Sequence, residues 1–195
     1  MAERHSALEG LAAVRVDVVA LRELPFAAQV NVRTADPEAL GLPHEPNTTA
    51  PLHGWTALWL GPDEWLVVGP DGDEGAIEQV LLGAGGDASV VDLSSNRTIL
   101  ELTGPRARDV LMQGCLLDLH PRAFGPGRCA QTMLARAQVI LEATAEDAYR
   151  IFVRRSFAVY LAGWLLDAIA ILLEEHDGAV PVQQDTVLEV PPHGT

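Results

Sequence analysis

Between Val90 and Trp164 the spacing of apolar residues switches from two to near 3.6 and back, which confines the chain to layered folds of strands and helices. Thr98, Leu100 and Leu102 alternate with Arg97, Ile99 and Glu101, a strand with one apolar face. Gly104 and Pro105 open a helix, because proline's missing N–H would be unpaired at the first helical position in any case. Ala107, Val110 and Leu111 share one face of it, and Gly114 is expected to stop it in the left-handed conformation. The loop LHPRAFGPG leads into two strands, Cys129–Leu134 and Ala137–Ala143, joined tightly near Ala135. A further strand, Ala148–Arg154, places Tyr149, Ile151 and Val153 on one side. Ser156 is then expected to cap a long helix with its hydroxyl. In that helix Phe157, Tyr160, Leu161, Trp164, Leu165, Ala168, Ile169, Leu172 and Leu173 keep helical spacing. The pattern predicts an α+β fold of mostly antiparallel sheets with helices packed on one face.

The residues before this block read mainly as strands. Ser6 is expected to cap a short turn through Leu11. Val14, Val16 and Val18 suggest one strand that switches face at Val19 and Leu21, and Ala28, Val30 and Val32 a second. From Ala35 to Leu52 the chain holds Pro37, Pro43, Pro46 and Pro51, too many for a central strand or a helix interior, so the segment reads as a loop. Trp55–Leu60 and Trp65–Val68 form a hairpin about the turn Gly61-Pro62-Asp63-Glu64. Ala76–Leu82 is a short helix with Ile77, Val80 and Leu81 inward, ended by the glycines of Gly83–Gly86, and Ser89–Leu93 is a strand.

At 195 residues the chain suits one domain, or two lobes at about 1–90 and 91–185. The net charge is −14, which disfavours nucleic acid and anionic membrane surfaces as partners. Every basic side chain other than histidine is arginine, the side chain suited to interface ion pairs. Two separated cysteines, Cys115 and Cys129, and an N-terminus without a basic-then-apolar leader pattern point to the cytoplasm and to buried thiols. Phe157–Leu173 carries the single charge Asp167 and lies at the short limit for a membrane span; it reads as a helix buried on more than one side.

Catalytic patterns are sparse. Gly83–Gly86 follows a helix instead of leading a strand into one, so it reads as a helix stop and not a phosphate loop. The histidines His5, His44, His53, His120, His176 and His193 show no H-x-x-x-H spacing. His44 and His53 flank the proline-rich segment, and His120 is expected to bond local backbone. Ser94 and Ser95 lack a nucleophile-elbow setting; Asp92, at a strand end, is expected to accept hydrogen bonds from turn amides. No catalytic, cofactor-binding or metal-binding residue is assigned. Trp55, Trp59, Trp65 and Trp164 are open to two readings, core packing or interface anchors. Trp59, Trp65, Arg154, Arg155 and Trp164 are the candidates for a partner interface.

The segments HSAL (5–8), WLGPDEWLVV (59–68), DLSSNRT (92–98), LTGPRARDVL (102–111), GCLLDLHPRAF (114–124), PGRCAQT (126–132) and VRRSFAVYLAGWL (153–165) together resemble the gamma subunit of heterotetrameric sarcosine oxidase. More distantly the chain is similar to the folate-binding domain of the glycine-cleavage aminomethyltransferases, whose D-x-S, G-x-x-A and P-G-R elements it echoes. The resemblance implies an aminomethyltransferase-like fold and a non-catalytic place in a complex with alpha, beta and delta subunits, mainly against alpha. It implies that FAD, FMN, NAD and tetrahydrofolate belong to the alpha and beta chains and zinc to delta. The aminomethyltransferases carry an acidic residue in a segment like G-G-I-I-D-D-L. Here the matching stretch is Ala137–Ala143, with Leu141 at the first acidic position and Glu142 expected on the opposite strand face. A stand-alone folate-binding protein of the same fold is the alternative implied.

Overall fold

The computed structural model describes residues 4–9, 13–85 and 87–174. The expected turn through Leu11, the stop at Gly86, the lobe end near 185, and His176 and His193 lie wholly or partly outside the described residues.

Eleven strands and three helices follow one another along the described residues. They are β1 (Val14–Val16), β2 (Val19–Leu24), β3 (Ala28–Thr34), β4 (Thr49–Leu52), β5 (Trp55–Gly61), β6 (Glu64–Gly69), α1 (Glu74–Gly83), β7 (Ala88–Asp92), β8 (Arg97–Thr103), α2 (Ala107–Met112), β9 (Arg128–Leu134), β10 (Ala137–Ala145), β11 (Ala148–Arg154) and α3 (Arg155–Glu174). Two sheets form, in the orders β1-β2-β8-β11-β10-β9 and β4-β5-β6-β3-β7, and every strand pair among the described residues is antiparallel.

The sheets stack face to face, and each carries its helices on the other face. Leu100, Leu102, Val139, Leu141, Ile151 and Val153 pack on the inner sides of α2 and α3. Their strand neighbours Ile99, Ile140 and Phe152 point the opposite way and meet Leu58, Leu66 and Val68 of the second sheet. Ala57, Trp65, Val67, Val30 and Val32 then pack beneath Ile77 and Leu81 of α1. The layers therefore run helix, sheet, sheet, helix. This is why β6 and β10 are near-continuous apolar runs: both faces of each strand are covered. The sheets do not divide at residue 90, because β2 pairs with β8 and carries the N-terminal hairpin into the six-stranded sheet.

Several local expectations are corrected. Val14–Leu24 is a hairpin, β1 and β2 with Asp17 and Val18 at its turn, not one strand that switches face. The proline-rich segment ends in a strand, β4, which tolerates Pro51 because it lies at the sheet edge. Its hairpin to β5 turns on His53 and Gly54, both at positive φ (50° and 94°), the two-residue geometry that matches strand twist. Helix α2 begins at Ala107, two residues after Pro105. Gly114 is not left-handed; a Cβ there would lie 2.5 Å from the Trp164 ring, so the residue is fixed by close approach. Helix α3 starts at Arg155, directly after β11, so Ser156 lies within its first turn instead of capping it.

Candidate functional site

Strand register brings together a row of charges that sequence order scatters. Arg22 of β2 stands opposite Glu101 of β8, Glu101 opposite Arg150 of β11, Arg150 opposite Glu142 of β10, and Glu142 opposite Cys129 of β9. Positive and negative side chains alternate across four strands, the favourable order for cross-strand pairs. One pleat along, Leu24, Ile99, Phe152 and Ile140 form a parallel apolar row that seals against the second sheet.

The row borders two clefts between the sheets. One, of about 350 Å³, lies beside Pro25, Gly54, Val68, Asp71 and Arg150. The other, of about 310 Å³, lies beside Pro51, Gly127, Glu142, Thr144 and Arg150. Thr56 and Arg150 line both. Glu142 is only 3% exposed, and its Oε2 sits 3.6 Å from Arg150 Nη1. That distance is an ion pair without a hydrogen bond. Burial raises the Glu142 carboxyl above its ordinary range, and Arg150 partly offsets the rise. Glu142 Oε2 and Arg150 Nε find no hydrogen-bond partner among the described residues. Glu101 accepts from Arg22 Nε, so the outer half of the row is the better satisfied.

Cys129 closes the row. Its Sγ–H donates to the carbonyls of Thr48 (3.3 Å) and Trp59 (3.4 Å). Burial, reinforced by the Glu142 charge, pushes its thiol up to about 12, which suppresses the thiolate. Cys115 and Cys129 are both free thiols.

Leu141, at the acidic position of the aminomethyltransferase pattern, is sealed in the helix-side core. Glu142 faces the opposite side, as strand alternation requires, and meets Arg150 there. No acidic group therefore stands where that pattern places one.

The tryptophan and arginine candidates do not converge on one surface. Trp65 is a core residue, 1% exposed, with Nε1 donating to the Pro43 carbonyl at 2.9 Å; it is corrected from interface candidate to core. Trp59 lies opposite it on β5, half-buried at the margin of the α1-side core. Trp55 donates to Asp73 and lies over Gly69. Trp164 is half-buried on α3 against Gly114. Arg154 stands opposite Arg97, whose guanidinium loses proton affinity mainly through burial and secondarily through the Arg154 charge. Arg155 donates to the His5 carbonyl at 2.9 Å.

Val80 of α1, expected inward, is 37% exposed, whereas Ile77 and Leu81 are buried; the following local expectations hold. Asp92 accepts from the Ser94 amide at 2.8 Å, and His120 Nδ1 accepts from the Arg122 amide at 3.2 Å. His44 and His53 are exposed, and His53 makes an edge contact with Trp55. Sequence reasoning marks Glu142 by its strand face and Cys129 as a buried thiol, but nothing local places Arg22, Glu101 and Arg150 beside them; only the register shows that these positions are neighbours.

Comparison with known proteins fits this architecture. Residues 25–171 match the model of the sarcosine oxidase, gamma subunit family. The sarcosine oxidase subunit gamma of Corynebacterium sp. (strain P-1) is 41% identical over 168 residues, covering 80% of this chain and 83% of the relative. A chain of the heterotetrameric sarcosine oxidase from Corynebacterium sp. U-96 superposes with TM-score 0.77 at 35% identity, covering 92% of this chain and 98% of that one. The aminomethyltransferase T of the glycine cleavage system from Bartonella henselae shares the fold at TM-score 0.61 and 18% identity, covering 76% of this chain and 45% of that one. A matched family model across most of the sequence, together with a relative aligned over four-fifths of the chain, assigns this protein to the sarcosine oxidase gamma subunit family.

Proposed function

We propose that the chain is a non-catalytic structural subunit of a heterotetrameric, flavin-dependent sarcosine oxidase that works in the cytoplasm. The observation that carries this reading is the near end-to-end superposition on a chain of a heterotetrameric sarcosine oxidase. The complex would demethylate sarcosine oxidatively to glycine, pass the one-carbon unit to tetrahydrofolate and release hydrogen peroxide. FAD, FMN, NAD and tetrahydrofolate would be held by the alpha and beta subunits and zinc by delta. This chain would contact mainly alpha, at its aminomethyltransferase-like part.

Two features of the chain support a packing role. Two of its buried ionisable groups, Glu142 and Cys129, are turned toward other residues of the same chain, Arg150 and two backbone carbonyls. Its two-sheet body leaves part-exposed side chains, among them Trp59, Trp164, Arg154 and Arg155, for contact with other chains.

The test is purification of the tagged chain from its native cell, with an absorption spectrum and a sarcosine-dependent oxygen assay of the eluate. A flavin-coloured complex of several chains that consumes oxygen with sarcosine is the expected result. A colourless single chain that binds tetrahydrofolate by itself would overturn the reading in favour of a folate-binding protein.

A further inference from the structure

Helix α3 is apolar on both sides, yet the fold covers only one. Ala158, Leu161, Ala162, Leu165, Ala168, Ile169 and Leu172 are buried against the six-stranded sheet and α2. The opposite side presents Phe157, Val159, Tyr160 and Ile171 to solvent, with Val159 67% and Ile171 51% exposed. The half-buried Trp164 lies at the edge of the same side. The α2 end continues the surface: Gln113 donates to the Ala168 carbonyl and Gly114 abuts Trp164, while the flanking Met112 and Leu116 are 62% and 90% exposed. Scattered exposed apolar residues are ordinary; a run of them along one helix face, continued on its neighbour, marks an interaction surface.

The charges on this face select the partner. Asp167 lies in the middle of the exposed stripe, with Gly163, Trp164, Ala170 and Ile171 one turn away and no basic residue among them. Neither Asp167 nor Glu174 has an ion-pair or hydrogen-bond partner among the described residues. The last turn of α3 has no basic residue, so Glu174 adds to the negative end of the helix dipole. A second copy of the chain offers Asp167 no nearby cation, because the single basic residue of α3, Arg155, lies about three turns away at the other end of the helix. A membrane surface of anionic lipid would repel Asp167 and Glu174.

We propose that the outer face of α3, extended by Met112 and Leu116, is the docking face of this chain within the heterotetramer. Its occupant is a neighbouring subunit that presents an apolar groove with an Arg or Lys set to meet Asp167. The inference rests on the proposed membership of a heterotetramer and adds the surface and the chemistry of the contact. Burial of Phe157, Val159, Tyr160 and Ile171 would supply the apolar centre of the interface. Asp167, paired only on assembly, would supply its orientation.

The experiment compares wild type, Val159→Glu/Ile171→Glu, Asp167→Arg and the control Val91→Glu, which alters an exposed valine on β7. Each tagged chain is co-expressed with its partner subunits, and the recovered complex is quantified by its flavin absorbance per tagged chain. The first two variants are expected to recover about tenfold less complex, the control the same as wild type, and all free chains similar melting temperatures. Val159→Cys tests the face without a new charge. Its added thiol is expected to react with maleimide in the free chain and to be protected in the complex.

Normal assembly of the double glutamate variant, or a Val159→Cys thiol equally reactive in both forms, overturns the docking face while leaving the subunit reading intact. Failure of the wild type to recover any partner overturns the subunit reading itself. A wild-type dimer of this chain alone that Val159→Glu/Ile171→Glu dissolves would make a second copy the occupant and overturn the partner assignment.

Discussion

Glu142 Oε2 lies 3.6 Å from Arg150 Nη1 across the β10–β11 pair, at the point where two clefts between the sheets share a wall. The carboxylate is buried and the guanidinium half-buried, so the pair holds one desolvated charge against one that still reaches solvent. Removing Arg150 would leave Glu142 buried and uncompensated. Arg150→Ala is expected to cost about 2 kcal/mol, below the usual cost of breaking a fully buried pair because Arg150 is partly exposed. The double substitution Glu142→Leu/Arg150→Met should be more stable than Arg150→Ala alone, because it removes the orphaned charge with its partner. Chemical denaturation of the three chains checks both statements; a double variant less stable than the single would contradict them.

Burial raises the Glu142 carboxyl, so the folded chain holds that proton more tightly than the unfolded chain does. Its contribution to stability is complete below the ordinary carboxylate range and is lost as pH rises through the raised value. Arg150 and Cys129 are the groups that face it across the neighbouring strands. Wild type should therefore lose stability with rising pH relative to Glu142→Gln. Unfolding free energies of the two proteins measured across the acid-to-neutral range would settle it; parallel curves would show that the carboxyl is not perturbed.

Gly114→Ala places a methyl 2.5 Å from the Trp164 ring and 3.2 Å from the Ala135 backbone nitrogen. The indole must move, at a cost of about 1–3 kcal/mol. Trp164→Leu in the same chain should return part of that loss, since it removes the obstructing ring. Melting temperature reports the cost, and a shift in tryptophan emission reports the displaced indole. An unchanged emission spectrum with full stability would mean that the helix ends pack more loosely than the contact implies.

Cys129 is buried, donates to two carbonyls and has its thiol pushed up to about 12, whereas Cys115 is half-buried. At mildly alkaline pH the native chain should label at Cys115 first, with Cys129 reacting only after denaturation. Mass spectrometry of the labelled protein distinguishes the sites. Equal native rates at the two thiols would contradict the packing of β9 between Thr48 and Trp59.

Trp65 fills the α1-side core and donates to Pro43. Trp65→Phe keeps most of the packing and orphans the carbonyl, for an expected loss of about 1 kcal/mol; Trp65→Ala should cost about 3–5 kcal/mol. Because Trp65 is core, Trp65→Phe should leave assembly with partner chains unchanged, which a pull-down can verify.

The sequence by itself determined the kind and extent of most elements. Period-two runs such as Thr98–Leu102 and Tyr149–Val153 became β8 and β11, the helical spacing from Phe157 became α3, and tight links at Ala135 and Gly61–Glu64 became hairpins. It determined as well that Leu141 and Glu142 face opposite ways, because alternation along a strand is a local property. The tertiary structure decided what each face meets. Ile99, Ile140 and Phe152 are apolar on the second face of their strands, and no local pattern distinguishes a sheet from a helix as the covering layer. Only pairing across five chain segments lines up Arg22, Glu101, Arg150, Glu142 and Cys129, since register depends on hydrogen bonds between residues far apart in sequence. Helix α3 shows the same division of information. Its composition called for burial on more than one side, while the packing of a single chain, in which one helix can lay only one face on one sheet, left Val159, Tyr160 and Ile171 in solvent.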